Sequence, residues 1–401
     1  MLECTQNARN NQKEGCMPAK TLCCSMRTVS AKENSSLTSR PNKIIPRNRG
    51  EATAKILQTF KSIQRENHSS LDFHNEKHPE TVRRAALEFA KIIMREDPTL
   101  VTKNTMEGIV TSATSHDSVL NVAHGEMITR FRGFFESDIK EGYRAAMEQA
   151  GIHKGNELLS AEYVGREMDK YVYGGDKPIF DAVFRKETYD AIAATFPEFD
   201  FSATISDADF ERYFGTARLQ EAGLEKYRTG IKVWQPHLKP DSSLATLAIA
   251  TGDLRGDVAS KNFETFRKSG NAEFRELNEG LRQTVREEIA AIPLEKKRKI
   301  AESMLRWIKA QVTFAMWQKV LFWESIHTNQ AIGQSKKAEE IKRAFRDRYD
   351  PCFNANILKA KERYERLEKK YGEEGARRTE CLAHLTEDDF QELLRELGFF
   401  L

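Results

Sequence analysis

Histidine and aspartate side chains occur at spacings typical of metal sites. His74 and His78 lie four residues apart in the segment FHNEKH, and the dipeptide His116-Asp117 begins 38 residues after His78. Mixed imidazole and carboxylate ligands suit Zn, Mn and Fe, and a mostly hydrated second site suits Mg. Such ions neutralise phosphate oxygens and make hydroxide available near neutral pH. These residues predict a centre for one or two divalent metal ions (Mg, Mn, Zn or Fe), provided that the fold brings them together.

A fifth candidate, Asp253, follows a segment without charge. Residues 242–252 read SSLATLAIATG, and a helix of this composition is expected to be buried nearly all round. A carboxylate at the end of a buried helix is costly unless a cation or several hydrogen-bond donors receive it. Asp253 is therefore a candidate ligand on local grounds alone. The alternative is an aspartate that faces solvent at the helix end.

Amphipathic helices are predicted to position these groups. Apolar residues recur at helical spacing after His78, at Val82, Ala86, Phe89 and Ile93. They recur again before His116, at Met106, Ile109, Val110 and Ala113. A third helix is predicted over 157–170. The aromatic-rich C-terminal part is also helical in pattern, and its core candidates are Trp307, Phe314, Trp317, Phe322 and Trp323. Each histidine then lies at or near a helix end.

The overall composition favours an all-α protein and excludes several functional classes. The 401 residues include only 22 Gly and 11 Pro, which is typical of helices rather than of a turn-rich sandwich. The formal charge of +3 comes from 63 basic and 60 acidic side chains, so no strong field predicts a nucleic-acid or membrane partner. No apolar stretch is long enough to span a bilayer. Oligomeric state is not predicted.

The first 50 residues differ from the rest in composition. They contain nine basic and three acidic side chains and four of the six cysteines, and they lack a sustained apolar period. We predict a disordered basic segment over 1–50, a metal-binding domain over 51–275 and a helical region over 276–401 that packs on that domain. The expected location is the cytoplasm, with an organelle as the alternative if the segment is a transit peptide.

Four short motifs occur in an order that is known from one family. They are FHNEKH followed by a valine, HD at 116–117, GNELLSA at 155–161 and GDL at 252–254. Together they resemble the HD superfamily of metal-dependent phosphohydrolases. Within it, the nearest branches are cyclic-nucleotide phosphodiesterases and bacterial proteins with a Y-H-N-x-x-H signature. The resemblance covers residues 73–254 and implies an HD-domain helical bundle, here with additional C-terminal helices.

The resemblance implies a role for each matched residue. The metal ligands would be His78, His116, Asp117 and Asp253. His74 would protonate the leaving oxygen as a general acid, Glu157 would face the attacking water, and Asn75 would hold the motif in place. Two of these residues have a purely structural alternative: His74 as a helix cap and Glu157 as an ordinary acid in a first helical turn.

The implied activity is hydrolysis of a small, nucleotide-like phosphoester. Arg130, Arg132 and Asn156 are candidate substrate contacts, although the two arginines could equally be surface or ion-pairing residues. Two departures from the phosphodiesterase branch leave the substrate open. No histidine lies four residues after the HD pair, and Ser269 stands where a purine-binding glutamine is expected.

Two other classes of function are alternatives to the phosphohydrolase. An HD-type di-iron oxygenase needs further histidines, for which His124, His153 and His237 are available without matching a defined pattern. A non-catalytic HD protein would bind a nucleotide or a partner for signalling. The loss of a metal ligand would favour that class, but all four expected ligands are present.

Overall fold

Helices dominate the described part of the chain. A computed structural model describes residues 43–68, 77–119, 156–174, 176–254, 283, 287, 289–371 and 382–396. Within them, twelve α-helices accompany a single two-stranded sheet. The prediction of an all-α helical bundle with additional C-terminal helices is confirmed. None of these helices is both long and apolar enough to span a membrane.

Five helices and one strand make up the described N-terminal part. They are α1 (Arg49–His68), α2 (Lys77–Glu96), α3 (Lys103–Ser115), α4 (Asn156–Asp169), α5 (Ala182–Ala193) and β1 (Glu198–Thr204). Two short helices, a 3-10 turn and a strand follow: α6 (Asp207–Phe214), α7 (Ala217–Gln220), Leu224–Tyr227 and β2 (Thr229–Trp234). The C-terminal part comprises α8 (Leu244–Leu254), α9 (Leu294–Thr328), α10 (Gln330–Gln334), α11 (Ala338–Tyr371) and α12 (Glu387–Glu396).

The predicted periodic face is fully buried in α2 and partly buried in α3, where Met106 and Val110 are half-buried. In α2 the four predicted apolar residues are all buried, namely Val82, Ala86, Phe89 and Ile93. Helix α3 begins at a capping box in which Thr102 and Thr105 bond each other's backbone N–H groups, so its start is fixed by local hydrogen bonds. Helix α8 is buried from Leu244 to Gly252, as expected for a segment without charge.

One core joins the helices that surround the metal-site candidates to the C-terminal helices. Helix α8 packs against α2, α3 and α5, and α9 packs against β2, α11 and α12. A continuous apolar cluster runs from Val82 and Ile109 through Leu247 to Trp317, Phe322 and Phe345. A smaller cluster joins α1, α4 and α5, with Phe60, Met168 and Phe180 among its members. The C-terminal aromatic residues thus stabilise the fold that holds α8.

The short sheet is a pair of antiparallel strands that sequence periodicity did not predict. Strands β1 and β2 pair from Glu198 opposite Trp234 to Thr204 opposite Thr229, with a register irregularity between Asp200 and Ala203. The segment 43–48 also enters the described fold, where Ile44 forms an isolated bridge with Tyr171. The described residues from Lys43 onward belong to one compact unit.

A buried lysine ties three helices together near the C-terminus. Lys319 on α9 donates from Nζ to the carbonyl of Tyr213, at 2.8 Å, and to Oδ1 of Asn354, at 2.9 Å. Burial lowers the pKa of Lys319, while Asp350, with Oδ1 3.7 Å from Nζ, acts in the opposite direction. Trp323 donates to the same Asp350 oxygen at 2.8 Å. Because this lysine is fully engaged by protein acceptors, its role is structural.

His327, at the end of α9, is held neutral by its surroundings. Its ring stacks on Tyr213 and Trp323, with centroids 6.5 and 5.6 Å away. Its Nδ1 lies 3.4 Å from Nη2 of Arg212. Burial lowers the pKa of His327 to about 4, and the charge of Arg212 acts in the same direction. Neutral imidazole can accept from a guanidinium, whereas imidazolium would be repelled.

Folding stability is expected to fall as pH is lowered from about 6.5 to about 4, because only the unfolded chain binds a proton at His327 in that range. The contribution of neutral His327 to the free energy of unfolding is complete above about pH 6.5 and is lost below about pH 4. With His327→Phe, the loss of unfolding free energy across this window should be smaller by about 1–2 kcal/mol, a value that already allows for solvent screening. Urea unfolding across the window measures the effect, with the exposed His384→Gln as control. A decline as steep as in the wild type would contradict the prediction.

Candidate metal centre

Three helices bring the candidate ligands to one point. His78 is the second residue of α2, His116 caps the C-terminus of α3 with Asp117 directly after it, and Asp253 is the penultimate residue of α8. His78, His116 and Asp253 form a group whose ligand atoms all lie within 4.8 Å of one another. This group could hold a metal ion. Asp117 adjoins it through its Oδ2 atom.

The distances between donor atoms test whether an ion fits. The Nε2 atoms of the two histidines are 3.2 Å apart. Oδ2 of Asp117 lies 3.0 Å from Nε2 of His116 and 3.3 Å from that of His78. Oδ1 of Asp253 lies 3.2 Å from His78 Nε2 and 3.6 Å from His116 Nε2. Bonds of about 2.1 Å place neighbouring ligands about 3.0 Å apart in an octahedron and about 3.4 Å apart in a tetrahedron. The separations among His78, His116 and Asp253, 3.2–3.6 Å, therefore suit one ion.

The ring of His116 is oriented by the backbone of its own helix. Its Nδ1 lies 2.9 Å from the carbonyl oxygen of Ala113, which can only accept, so the ring donates the Nδ1 proton there. In the neutral ring, the lone pair therefore lies on Nε2, the atom that faces His78 and the carboxylates. A backbone carbonyl on the second nitrogen is the usual way in which proteins fix a ligating histidine.

The two carboxylates control the charge of the buried imidazole. Burial alone would lower the pKa of His116, but Asp117 and Asp253 outweigh it and raise that pKa well above its ordinary value. Burial would raise the pKa of Asp253, yet hydrogen bonds with His116 and His78 lower it to about 2. Negative charge at this point thus selects a positive partner, which is a proton on imidazole or a metal ion. Metal binding is expected to release protons.

Glu157 lies within electrostatic reach of the centre, at the start of α4. Burial raises the pKa of Glu157 to about 7, and the charges of Asp117 and Asp253 act in the same direction. Its own backbone N–H and the cationic form of His116 oppose this rise. A carboxyl group with such a pKa exchanges a proton near neutral pH, as a general acid or base requires.

A close contact between two helices sets the distance from His78 to Asp253. Gly252, next to Asp253, faces the backbone of α2. A Cβ atom at Gly252 would lie 3.1 Å from the carbonyl oxygen of Val82 and 3.3 Å from the amide nitrogen of Ala86. Only glycine lets α8 approach α2 this closely without displacing backbone. The glycine therefore keeps the ligands of the two helices together.

Two glutamines hold the last turn of α8, which carries Asp253. Gln235, just after β2, donates from Nε2 to the carbonyl of Ala250 at 2.9 Å. Gln318 on α9 donates to the carbonyl of Leu254 at 3.1 Å. Leu254 is the last described residue of α8, and Gln318 gives its carbonyl a donor from another helix. Sequence reasoning missed both residues. A glutamine within the apolar stretch AMWQKVLFW was the available signal for Gln318.

Several residues predicted from the sequence lie outside the described part. This holds for His74, Asn75, Arg130, Arg132 and Ser269. Asn156 begins α4, but its side chain is not described. Their predicted roles stay predictions. The described centre thus consists of His78, His116, Asp117 and Asp253, with Glu157 nearby.

Searches for relatives do not add to this geometry. Neither protein-family models, nor curated proteins, nor solved structures give a match to the chain.

Gly252→Ala is expected to weaken divalent metal binding by about tenfold or more, because the added methyl group meets backbone atoms of α2 that no rotamer change can move. Isothermal titration with Zn²⁺ or Mn²⁺ measures the affinity. Gly165→Ala on α4 is the matched control, since its Cβ would have no heavy atom within 4 Å. That change should leave affinity unaltered and stabilise the helix by about 0.5–1 kcal/mol. Equal affinities in both variants would show that helix spacing does not control the centre.

Proposed function

We propose that the protein is a metal-dependent phosphohydrolase that cleaves a small, nucleotide-like phosphoester. The proposal rests chiefly on the buried arrangement of two imidazoles and two carboxylates with donor separations of 3.0–3.6 Å. A divalent ion such as Zn, Mn, Fe or Mg supplies Lewis acidity there, which neutralises phosphate charge and makes hydroxide available near neutral pH. The resemblance of the four motifs to HD phosphohydrolases supports the same class.

Each residue of the centre would have a distinct role in metal binding or proton transfer. His78, His116 and Asp253 bind the ion, and Asp117 lies beside them as a fourth ligand or as a bridge to a second ion. The Ala113 carbonyl keeps the His116 lone pair directed at the centre. Glu157 would take the proton of the attacking water on its carboxylate. His74 would donate a proton from its imidazole to the departing oxygen.

The di-iron oxygenase alternative gains no support from the described histidines. His237 lies with its ring 6.0 Å from that of Phe196 and does not belong to the metal-ligating group. His124 and His153 lie outside the described residues. Iron content together with oxygen-dependent turnover would establish this alternative over the hydrolase.

Purified without chelator, the protein is expected to contain a divalent metal and to release phosphate, or open a cyclic phosphodiester, on a panel of cyclic and linear nucleotides. His116→Ala combined with Asp117→Ala should abolish metal binding and lower the rate by more than about 100-fold. Metal analysis of the dialysed proteins and phosphate release measure the two effects. His237→Ala, which also removes one imidazole, should match the wild type. Undiminished metal content in the double variant would disprove the site.

Glu157→Gln separates proton transfer from metal binding. The variant is expected to keep its metal content, because Glu157 is not among the ligating groups, while the rate on the best nucleotide falls by about 10²-fold or more. The rate-pH profile should lose its limb near pH 7, which corresponds to the pKa of Glu157. An unchanged rate would show that Glu157 has no catalytic role and is an ordinary acid in the first turn of α4.

A further inference from the structure

A second concave region lies beside the pair of β-strands. A cavity of about 660 Å³ is bounded by the two strands, by α6 and by the last turns of α9. None of the residues on its wall is one of the four candidate metal ligands. Sites for small molecules occupy about 300–1,000 Å³, so this cavity has the size of a ligand site of its own.

One face of the two strands forms one side of the cavity wall. In β2, Ile231 and Val233 are buried, whereas the alternate residues Lys232 and Trp234 are half-buried and line the cavity. Asp200 of β1 also lines the cavity and pairs directly opposite Lys232. Residues directly opposite each other in an antiparallel pair share one face of the sheet. A carboxylate, an ammonium group and an indole ring therefore lie on one surface.

Side chains of opposite charge are neighbours on this wall. Lys232 lies across the strands from Asp200, and Arg212 lies three residues after Asp209 on α6, a spacing that makes helical side chains neighbours. Neither pair forms a salt bridge within the described part of the chain. Each carboxylate accepts hydrogen bonds from a neighbouring serine at one oxygen only. Donors and acceptors thus lie side by side, with hydrogen-bonding capacity left for a ligand.

This mixing of charges disfavours a charged ligand. A phosphate or carboxylate near Lys232 would also meet Asp200, and an ammonium group near Asp209 would also meet Arg212. A neutral molecule with several hydroxyl groups avoids both repulsions. Because a hydroxyl both donates and accepts, two adjacent hydroxyls can bond a carboxylate and the neighbouring cation at the same time.

Aromatic and apolar groups provide a surface for a ring of the ligand. Trp234 is half-buried, and no ring or cation stacks on its indole within the described part of the chain. Leu247 and Leu321 add apolar surface to the same wall. The C–H groups of a pyranose ring form an apolar face that packs flat on an indole, which removes both surfaces from water. A sugar thus matches the indole with its ring and the charged pairs with its hydroxyls.

We propose that this cavity binds a neutral carbohydrate of one or two pyranose rings. The sugar packs on Trp234 and shares its hydroxyls between the members of two charged pairs, Asp200–Lys232 and Asp209–Arg212. These contacts use only side chains that are half-buried or exposed. The site is separate from the metal centre and does not depend on the proposed phosphohydrolase activity.

Ligands that differ in one property test this assignment. D-glucose, D-galactose, D-mannose, maltose, cellobiose and lactose are titrated into the full-length protein by calorimetry, with a chelator present. At least one sugar is expected to bind with a Kd below about 10 mM. Cyclohexanol keeps a six-membered ring but has one hydroxyl, and glycerol keeps adjacent hydroxyls but lacks the ring. Each should bind about tenfold more weakly than the best sugar, or weaker still.

Three results would overturn the proposal. The first is the absence of any sugar with a Kd below about 10 mM. The second is binding of cyclohexanol or glycerol as tight as that of the best sugar, which would show that ring and hydroxyls are not recognised together. The third is tighter binding of adenosine monophosphate or spermidine than of every sugar, which would show that the cavity selects a charged ligand.

Two variants place the binding at the cavity. Trp234→Leu removes the stacking surface, and Lys232→Met removes one charge while keeping a side chain of similar length; each should weaken sugar binding by about tenfold or more. Trp307→Leu is the matched control, because Trp307 is also half-buried but lies outside the wall, and it should bind as the wild type does.

Thermal unfolding checks that each variant is folded, and Lys232→Met decides the result if Trp234→Leu is not. Wild-type affinity in the folded cavity variants, or an equal loss of affinity in Trp307→Leu, would contradict the placement.

Discussion

The cluster of two imidazoles and two carboxylates constrains much of the surrounding structure. Charged groups leave water at acceptable free energy only where opposite charge or hydrogen bonds replace it. His116 and Asp117 have side chains that are 1% and 5% exposed, so each must find its partner inside the protein. The helices that deliver these groups must therefore keep fixed positions relative to one another. The contacts around Gly252, Ala113 and Leu254 all serve that requirement.

The cluster also gives a physical reason for the composition of α8. A helix that ends at a carboxylate inside the protein must pack on every side, and its uncharged sequence allows this. A glutamine from α9 donates to the carbonyl of Leu254 at its end. The same geometry explains why a long helix from the C-terminal part contacts the segment that carries a metal ligand.

Much of this arrangement could be predicted from the sequence, for reasons that are local. The period of Val82, Ala86 and Phe89 specifies a buried face, and the absence of charge before Asp253 specifies a buried helix end. The order of the motifs then indicated which side chains should meet. Sequence could not give the close approach at Gly252 or the partners of Gln235, because these depend on which helices become neighbours. The pair of strands was also missed, since the β1 sequence, EFDFSAT, is short and the register of the pair is irregular.

The contact between Gln318 and Leu254 bears on how far the chain can be shortened. The sequence suggested a boundary near residue 275, with a separate helical region beyond it. A fragment that ended there would lose the donor to Leu254 and would uncover Leu247 and other core residues that share one apolar cluster with Trp317 and Phe322. The minimal folding unit of this protein consequently extends well past the last candidate ligand, and any excised metal-binding fragment would need α9 supplied with it.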